Sequence, residues 1–199
     1  FTVNDGTADS STSSTMTIDV TAVNDLPTAA DKTVTATEDT AFDFALADFG
    51  FSDVETGQLQ SITVTTLSST GTLVLNGSAV TSGQVISQSN ISAGLLTFTP
   101  LTNANGTDYD SFKFTVNDGT ADSSTSSTMT IDVTAVNDLP TGTDKTVTAT
   151  EDTAFVFTVA DFGFSDVDSA AQLQSIAVTS LPSAGTLALN GSTVTSGQS

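Results

Sequence analysis

The chain alternates short runs of hydrophobic and polar residues with a period of two, a pattern typical of β-strands that have one buried face. Clusters of Gly, Asn, Asp and Ser, which favour turns, separate these runs. The polar partners are mostly Thr and Ser, as in an antiparallel sandwich whose sheets each have one wet face. Seven runs fall within residues 26–138, with apolar positions at Val34/Ala36, Phe42/Phe44/Leu46, Ile62/Val64, Leu73/Leu75, Leu96/Phe98, Phe112/Phe114/Val116 and Met129/Ile131/Val133.

The chain also contains a long internal repeat. Residues 1–28 are identical to residues 114–141, an offset of 113 residues. A repeat of this size with seven short strands is the pattern of an immunoglobulin-like sandwich, although the Cys-Trp-Cys signature of antibody domains is lacking. We therefore predict an all-β protein of tandem immunoglobulin-like sandwiches in an extended array. Residues 1–25 would be the last two strands of one repeat, 26–138 a complete repeat, and 139–199 the first part of the next.

Two local signals refine this prediction. Asn-Gly at 76–77 predicts a tight hairpin turn, and Asn-Gly at 190–191 predicts its copy. The segment 87–94 breaks the alternation and predicts one helical turn, capped at Ser89 or Asn90.

The charge balance narrows the possible partners. The net charge is −20, from 23 acidic and 3 basic residues, so the chain would repel nucleic acid and anionic membranes. No stretch approaches the length of a membrane span. The sequence contains no His, Cys or Arg, which excludes nucleophile–base triads and zinc sites, and we expect no enzymatic activity. Multivalent cations are the natural counter-charge.

The carboxylates gather where the predicted strands end. Oxygen ligands in flexible loops suit Ca²⁺, which takes six to eight of them. Two carboxylates about 5 Å apart repel by roughly 3 kcal/mol at an effective dielectric constant of about 20, so convergence favours a bound cation. The alternative is that these groups are solvated and keep the surface soluble, which we prefer for Asp9, Asp19 and Asp43. The clusters are Glu38-Asp39, Asp53-Val54-Glu55, Asp108-Tyr109-Asp110, Asn117-Asp118-Gly119 and Asn137-Asp138.

Four sequence segments resemble the cadherin-like repeats of large bacterial surface adhesins, such as the extender regions of RTX-type adhesins. ATEDTAF is similar to the first-strand Glu motif, FSDVE to the D-x-D motif, and TAVNDLP to the inter-domain linker. DYDSFKFTVNDG is similar to the acidic pair, the penultimate strand and the DG turn of that family. The resemblance covers the whole chain.

This resemblance implies that Ca²⁺ lies between consecutive repeats. Thr134 and Leu139 stand where cadherins carry Asp and Asn, which favours one or two ions per junction over three. The implied ligands of the second junction are Glu38, Asp108, Asp110, Asn137, Asp138, Asp166 and Asp168. Those of the first junction are Asn24, Asp25, Asp53, Glu55 and Asp118.

The sequence thus predicts extender repeats of an extracellular or bacterial cell-surface adhesin or fibre, with Ca²⁺ stiffening each junction. The expected partners are neighbouring repeats of the same polymer, including a homopolymer, without nucleic acid or membrane insertion. One alternative is that a repeat binds a glycan or a partner-cell ligand. Another is that chains join into a filament by strand exchange, since residues 1–25 duplicate final strands that 139–199 lack. That pairing would still leave a central strand missing, so a longer polymer is the favoured interpretation.

Overall fold

A computed structural model describes residues 1–55, 57–168 and 171–199 of the chain. Its complete repeat combines β-strands with a 3₁₀ helix at Leu46–Phe49 and one short α-helix, α1, at Gln88–Ser92. The strands are β1 Thr28–Ala29, β2 Lys32–Thr37, β3 Phe42–Asp43, β4 Phe51–Ser52, β5 Ser61–Thr66, β6 Thr72–Leu75, β7 Ser78–Ala79, β8 Val85–Ser87, β9 Leu96–Thr99, β10 Gly106–Asn117 and β11 Ser127–Thr134.

These strands form two main sheets that share one hydrophobic core, so the predicted all-β class is confirmed. One sheet has the order β2-β11-β10-β5-β8 and the other β3-β9-β6-β7, while β1 and β4 form a separate pair. The pairing of β2 with β11 is parallel, with Ile131 beside Val34, whereas the other pairs are antiparallel among the described residues. The period-two pattern predicts which side chains point inward but does not encode strand direction.

Aromatic side chains from both ends of the repeat meet in the core. Phe44 and Phe112 pack edge to face with ring centroids 5.5 Å apart, and Phe49 and Phe114 do so at 5.1 Å. Such pairs contribute about 0.5–1.5 kcal/mol each beyond the burial of their area. The rings tie the segment after β2 to β10, which is distant in sequence.

The structure tests the predicted hairpin turn and the predicted helical turn. Asn76 and Gly77 have φ values of 48° and 78° between β6 and β7, as a two-residue hairpin turn requires. The predicted helical turn is α1, but its cap is Ser87, whose Oγ accepts the N–H of Asn90. The run through Leu46 does not stay extended, because the 3₁₀ helix Leu46–Phe49 begins there, with Gly50 as its C-cap.

The flanking segments repeat parts of this architecture. A 3₁₀ helix lies at Val159–Phe162, and the strands are β12 Thr141–Gly142, β13 Phe164–Ser165, β14 Ala188–Leu189 and β15 Ser192–Thr193. Within 1–25, the segment predicted to hold two strands, the structure has an isolated bridge between Asn4 and Asp9. A ladder needs a neighbouring strand, and none lies beside 10–25 among the described residues.

Candidate metal centre at the repeat junctions

Three carboxylates from three parts of the chain converge at the second junction. Glu38 follows β2 of the complete repeat, Asp138 lies in the linker, and Asp168 belongs to the next repeat. One carboxylate oxygen from each lies within 4.8 Å of the others. This arrangement could hold a cation between two consecutive repeats.

Hydrogen bonds fix the side chain of Glu38, which belongs to the complete repeat below the junction. It is only 2% exposed, and its Oε2 accepts a hydrogen bond of 2.8 Å from Asn105 Nδ2. Its Oε1 accepts the N–H of Val136 in the linker. These two bonds, led by that of Val136, lower the pKa of Glu38 against the opposing effect of burial. Glu38 is therefore a fixed anion that also anchors the linker.

The following repeat also holds the linker by hydrogen bonds. The N–H of Asp138 donates to Asp168 Oδ2 at 2.9 Å, and the N–H of Asp168 donates to Asp166 Oδ1 at 2.9 Å. Asp166 therefore supports Asp168 in its position, and the side chain of Asn137 donates to the carbonyl of Asp138. The backbone through the junction is ordered by these bonds before any ligand is considered.

Electrostatic crowding is concentrated on Asp138. Partial burial raises its pKa above the ordinary 3.8. The negative charges around it raise the pKa further, and they belong to Asp168, Asp39, Glu38 and Asp166. A group in this position binds a proton more readily than usual, and a cation would relieve the same repulsion.

Three residues at this junction are absent from the predicted ligand set. Asp39 Oδ1 accepts the N–H of Asn103 at 3.0 Å, and the Asn103 amide, oriented to donate, reaches Asp39 Oδ2 at 3.1 Å and Asp138 Oδ2 at 3.2 Å. Asn105 holds Glu38, as described above. Two features of the sequence point to these residues. One is the Glu-Asp doublet at 38–39, and the other is the Asn-rich loop before β10.

The first junction repeats the same backbone pattern in its upper half. The N–H of Asp25 donates to Glu55 Oε1 at 3.0 Å, and the N–H of Glu55 donates to Asp53 Oδ1 at 3.0 Å. Asn24 Nδ2 reaches Asp118 Oδ2 at 3.1 Å. The structure thus brings together the five residues predicted for this junction.

Glu55 supplies a second indication of a ligand. Its Oε2 is buried and has no hydrogen-bond partner among the described residues. The adjacent Glu55 side chain raises the pKa of Asp53, while the pKa of Glu55 is lowered, first by the N–H of Asp25. An unpartnered buried carboxylate oxygen beside a second carboxylate fits a cation, because burial without a partner is costly.

Asp108 and Asp110 were also predicted as ligands of the second junction, but they lie outside the cluster of Glu38, Asp138 and Asp168. Both are in strand β10 and not in a loop, and Asp110 is 6% exposed. Its carboxylate accepts the N–H groups of Ser69, Thr70 and Gly71 at 2.8–2.9 Å, so its oxygens are already used. Asp108 is exposed and adopts a φ of 49°, with its N–H bonded to Asp132 Oδ1. The described cluster therefore leaves out this predicted pair.

A comparison with known protein families identifies the family to which the complete repeat is similar. Residues 24–134, more than half of the chain, match the family described as bacterial Ig domain. The chain belongs to the bacterial Ig domain family. Proteins of this kind are typically not enzymes, and membership indicates a structural or adhesion-related repeat. The narrower grouping with cadherin-like extender repeats stays a prediction.

One curated relative is similar to part of the chain. Integrin beta-like protein E of Dictyostelium discoideum is 40% identical over 90 residues, which is 45% of this chain and 5% of that protein. The chain thus spans a small fraction of the relative's length. No solved structure matches the chain. Together the family and the relative suggest a surface or extracellular protein, and no helix in the described part of the chain is long and apolar enough to cross a membrane.

Proposed function

We propose that this bacterial Ig domain chain is a spacer of an extracellular adhesin or fibre, and that Ca²⁺ bound at the junctions stiffens it. The observation that carries the proposal is the convergence of Glu38, Asp138 and Asp168. They come from the lower repeat, the linker and the upper repeat, so one ion would bridge all three. Bridging removes freedom at the hinge, because binding to the ordered junction favours the ordered state.

The chemistry of the donors supports calcium. The cluster offers carboxylate oxygens, and the Asp39 carboxylate lies close to that of Asp138, since the Asn103 amide donates to both. Hard oxygen ligands without nitrogen or sulfur suit Ca²⁺ better than zinc or copper. Bound calcium would supply positive charge at Asp138, whose pKa is raised by burial and by the neighbouring anions. At the first junction, Asp53 and the unpartnered Oε2 of Glu55 would take the same role.

The expected affinity is that of extracellular calcium modules, with a Kd of about 10⁻⁴ to 10⁻³ M. At 10 mM Ca²⁺ such a site would stabilise the ordered junction by about 1–3 kcal/mol. The effect should be mechanical: the core of the complete repeat is already closed, so calcium changes the hinge more than the fold.

Single-molecule energy transfer can test this hinge. The chain has no cysteine, so dyes can be placed at Ser126→Cys and Ser183→Cys, in exposed parts of the two repeats. We expect a narrow distance distribution with calcium and a broad one with chelator. Asp138→Asn should weaken the calcium response by roughly tenfold or more, because it removes a charged ligand.

Asp43→Asn is the matched control, since it removes the same charge from an exposed position on β3. It should keep the full calcium response. Equal distance distributions with and without calcium, in a chain whose repeats remain folded by circular dichroism, would contradict the proposed stiffening.

A further inference from the structure

The side-chain amide of Asn105 helps to hold the linker to the complete repeat. Its Nδ2 donates a hydrogen bond of 2.8 Å to Glu38 Oε2, and Glu38 Oε1 in turn accepts the N–H of Val136 in the linker. Glu38 is almost fully buried, so water does not readily replace a partner that it loses. The amide of Asn105 therefore keeps a buried anion in the position that anchors the linker.

A glycine follows Asn105 directly, and an Asn-Gly pair is chemically labile. The sequence contains this pair at 76–77, 105–106 and 190–191. The backbone nitrogen of the glycine can bond to Cγ of the asparagine, because the second residue has no Cβ to hinder the approach.

The reaction is a hydrolysis in two steps. When the glycine nitrogen bonds to Cγ, a five-membered succinimide ring forms and the Cγ–Nδ2 bond breaks. Nδ2 leaves as ammonia, taking up through water the proton that the glycine nitrogen loses. One water molecule then opens the ring at either carbonyl, which leaves aspartate or isoaspartate. Overall, an amide and water become a carboxylate and ammonium.

The structure leaves room for this reaction at Gly106. A Cβ placed on Gly106 would meet nothing within 4 Å. Gly106 pairs with Val133, but the register shifts between Gly106 and Asp110, so the ladder does not continue regularly beyond the glycine. Asn105 itself is exposed, so water reaches its side chain. Space for ring closure and access to water thus coincide at this pair.

We propose that Asn105 is a deamidation site, and that its conversion releases the linker from the complete repeat. The product carries a carboxylate where the amide was the donor. Glu38 then loses a hydrogen bond and gains a negative neighbour, and a buried charge that loses its partner is strongly destabilised. Glu38 consequently leaves the position in which it binds Val136. This release depends on hydrogen bonds of the chain itself and not on the calcium proposed above.

Peptide mapping by mass spectrometry after incubation in mildly alkaline buffer tests the chemistry. The modified fraction at Asn105 should grow with time, and Asn137, which precedes Asp138, should react far more slowly. Asn105→Gln is the control at the same position, because its longer side chain would have to close a less favourable six-membered ring. An unmodified Asn105 in chains whose exposed Asn76 is fully converted would overturn the proposed site.

Hydrogen exchange at the Val136 amide tests the release, in the full chain and in chelator. Asn105→Asp should speed this exchange by about tenfold or more, because the anchoring bond opens more often. Asn105→Ala removes the donor without adding charge and should give an intermediate rate.

Asn76→Asp is the matched control, since it makes the same change at an Asn-Gly pair in the exposed turn between β6 and β7. Asp-Gly also suits that turn, so exchange at Val136 should stay within about twofold of the unsubstituted chain. Equal exchange rates at Val136 in the Asn105→Asp and Asn76→Asp chains, both folded by circular dichroism, would contradict the release. Because chelator is present throughout, neither result depends on whether calcium binds the junction.

Discussion

At the scale of single residues, the carboxylates of this chain serve three different purposes. Asp110 is saturated by backbone N–H groups inside the repeat, Glu38 anchors a linker while it remains charged, and Asp138 is crowded by other anions. Asp108-Tyr109-Asp110 and Asp166-Val167-Asp168 have the same D-x-D spacing. The spacing alone therefore does not show whether a carboxylate binds loop N–H groups or faces a junction. Local geometry therefore decides which acidic residues are available to a cation.

Replacing Asp110 with Asn should destabilise the complete repeat by about 2–3 kcal/mol, because a charged acceptor of several buried N–H groups is lost. Urea unfolding in chelator measures this change. Asp108→Asn is the matched control on the same strand and should change the free energy of unfolding by less than about 0.5 kcal/mol, since its side chain is exposed. A calcium-dependent loss in the Asp110 variant would contradict a purely structural role.

The pH dependence of Asp110 follows from the same bonds. Burial alone would raise its pKa, but the N–H groups of Ser69, Thr70, Gly71 and Ser111 outweigh burial and lower the pKa below 3.8. Its stabilising contribution is thus complete above pH 3.8 and is lost as the pH falls through the lowered value. Asp138 acts in the opposite sense: without a cation, its junction loses stability as the pH rises through the raised pKa.

At the scale of elements, Asp110 and Gly71 together determine how β6 enters its sheet. Asp110 binds the loop before β6, and that loop passes directly over Phe98 of β9. A Cβ at Gly71 would overlap the ring of Phe98 at Cζ and would lie 2.8 Å from the carbonyl oxygen of Thr99. Only a residue without a side chain allows this approach between the loop and β9.

Gly71→Ala should therefore destabilise the repeat by about 1–3 kcal/mol, as other overpacked sites do. The backbone at Thr99 cannot move away as the end of a flexible side chain could. Thermal unfolding followed by circular dichroism would show the change. Gly142→Ala is a suitable control, because a methyl group there meets its nearest neighbour at 3.7 Å and should leave the unfolding temperature unchanged.

The strands were predictable from sequence because their alternation reflects burial. Val34, Phe98 and Ile131 are inward residues both in the pattern and in the structure. The direction of β2 relative to β11 was not predictable, since both directions give the same alternation. The upper and linker residues of each candidate site could be expected from the TAVNDLP and FSDVE motifs. The Glu38-Asp39 cluster is visible in the sequence, but the contact of Asp39 with Asn103 is not, because it depends on how two loops distant in sequence fold together.

At the scale of the whole molecule, the chain divides into a closed repeat and two segments with exposed apolar side chains. The core residues of the closed repeat come from both of its main sheets. The segments 1–25 and 139–199 have few backbone ladders among the described residues. Opening free energies within one chain should therefore differ widely.

Hydrogen exchange followed by mass spectrometry should show this difference. At micromolar concentration we expect slow exchange in β10 and β11 and at least 100-fold faster exchange in residues 1–21 and 143–158. The sequence identity of 1–21 with 114–134 makes each segment a control for the other, since intrinsic exchange rates match. Equal protection of the identical peptides would contradict the described packing.

The parallel contact between β2 and β11 also determines how the repeat carries load. The chain enters the repeat before β2 and leaves it after β11, so tension applied to the two ends of the repeat would pull these two neighbouring strands in opposite directions along their length. The register from Met129–Lys32 to Thr134–Thr37 is then loaded in shear, and its hydrogen bonds must yield together and not one after another. The fold therefore places its first long strand, β2, beside its last strand, β11, in the arrangement that best resists stretching.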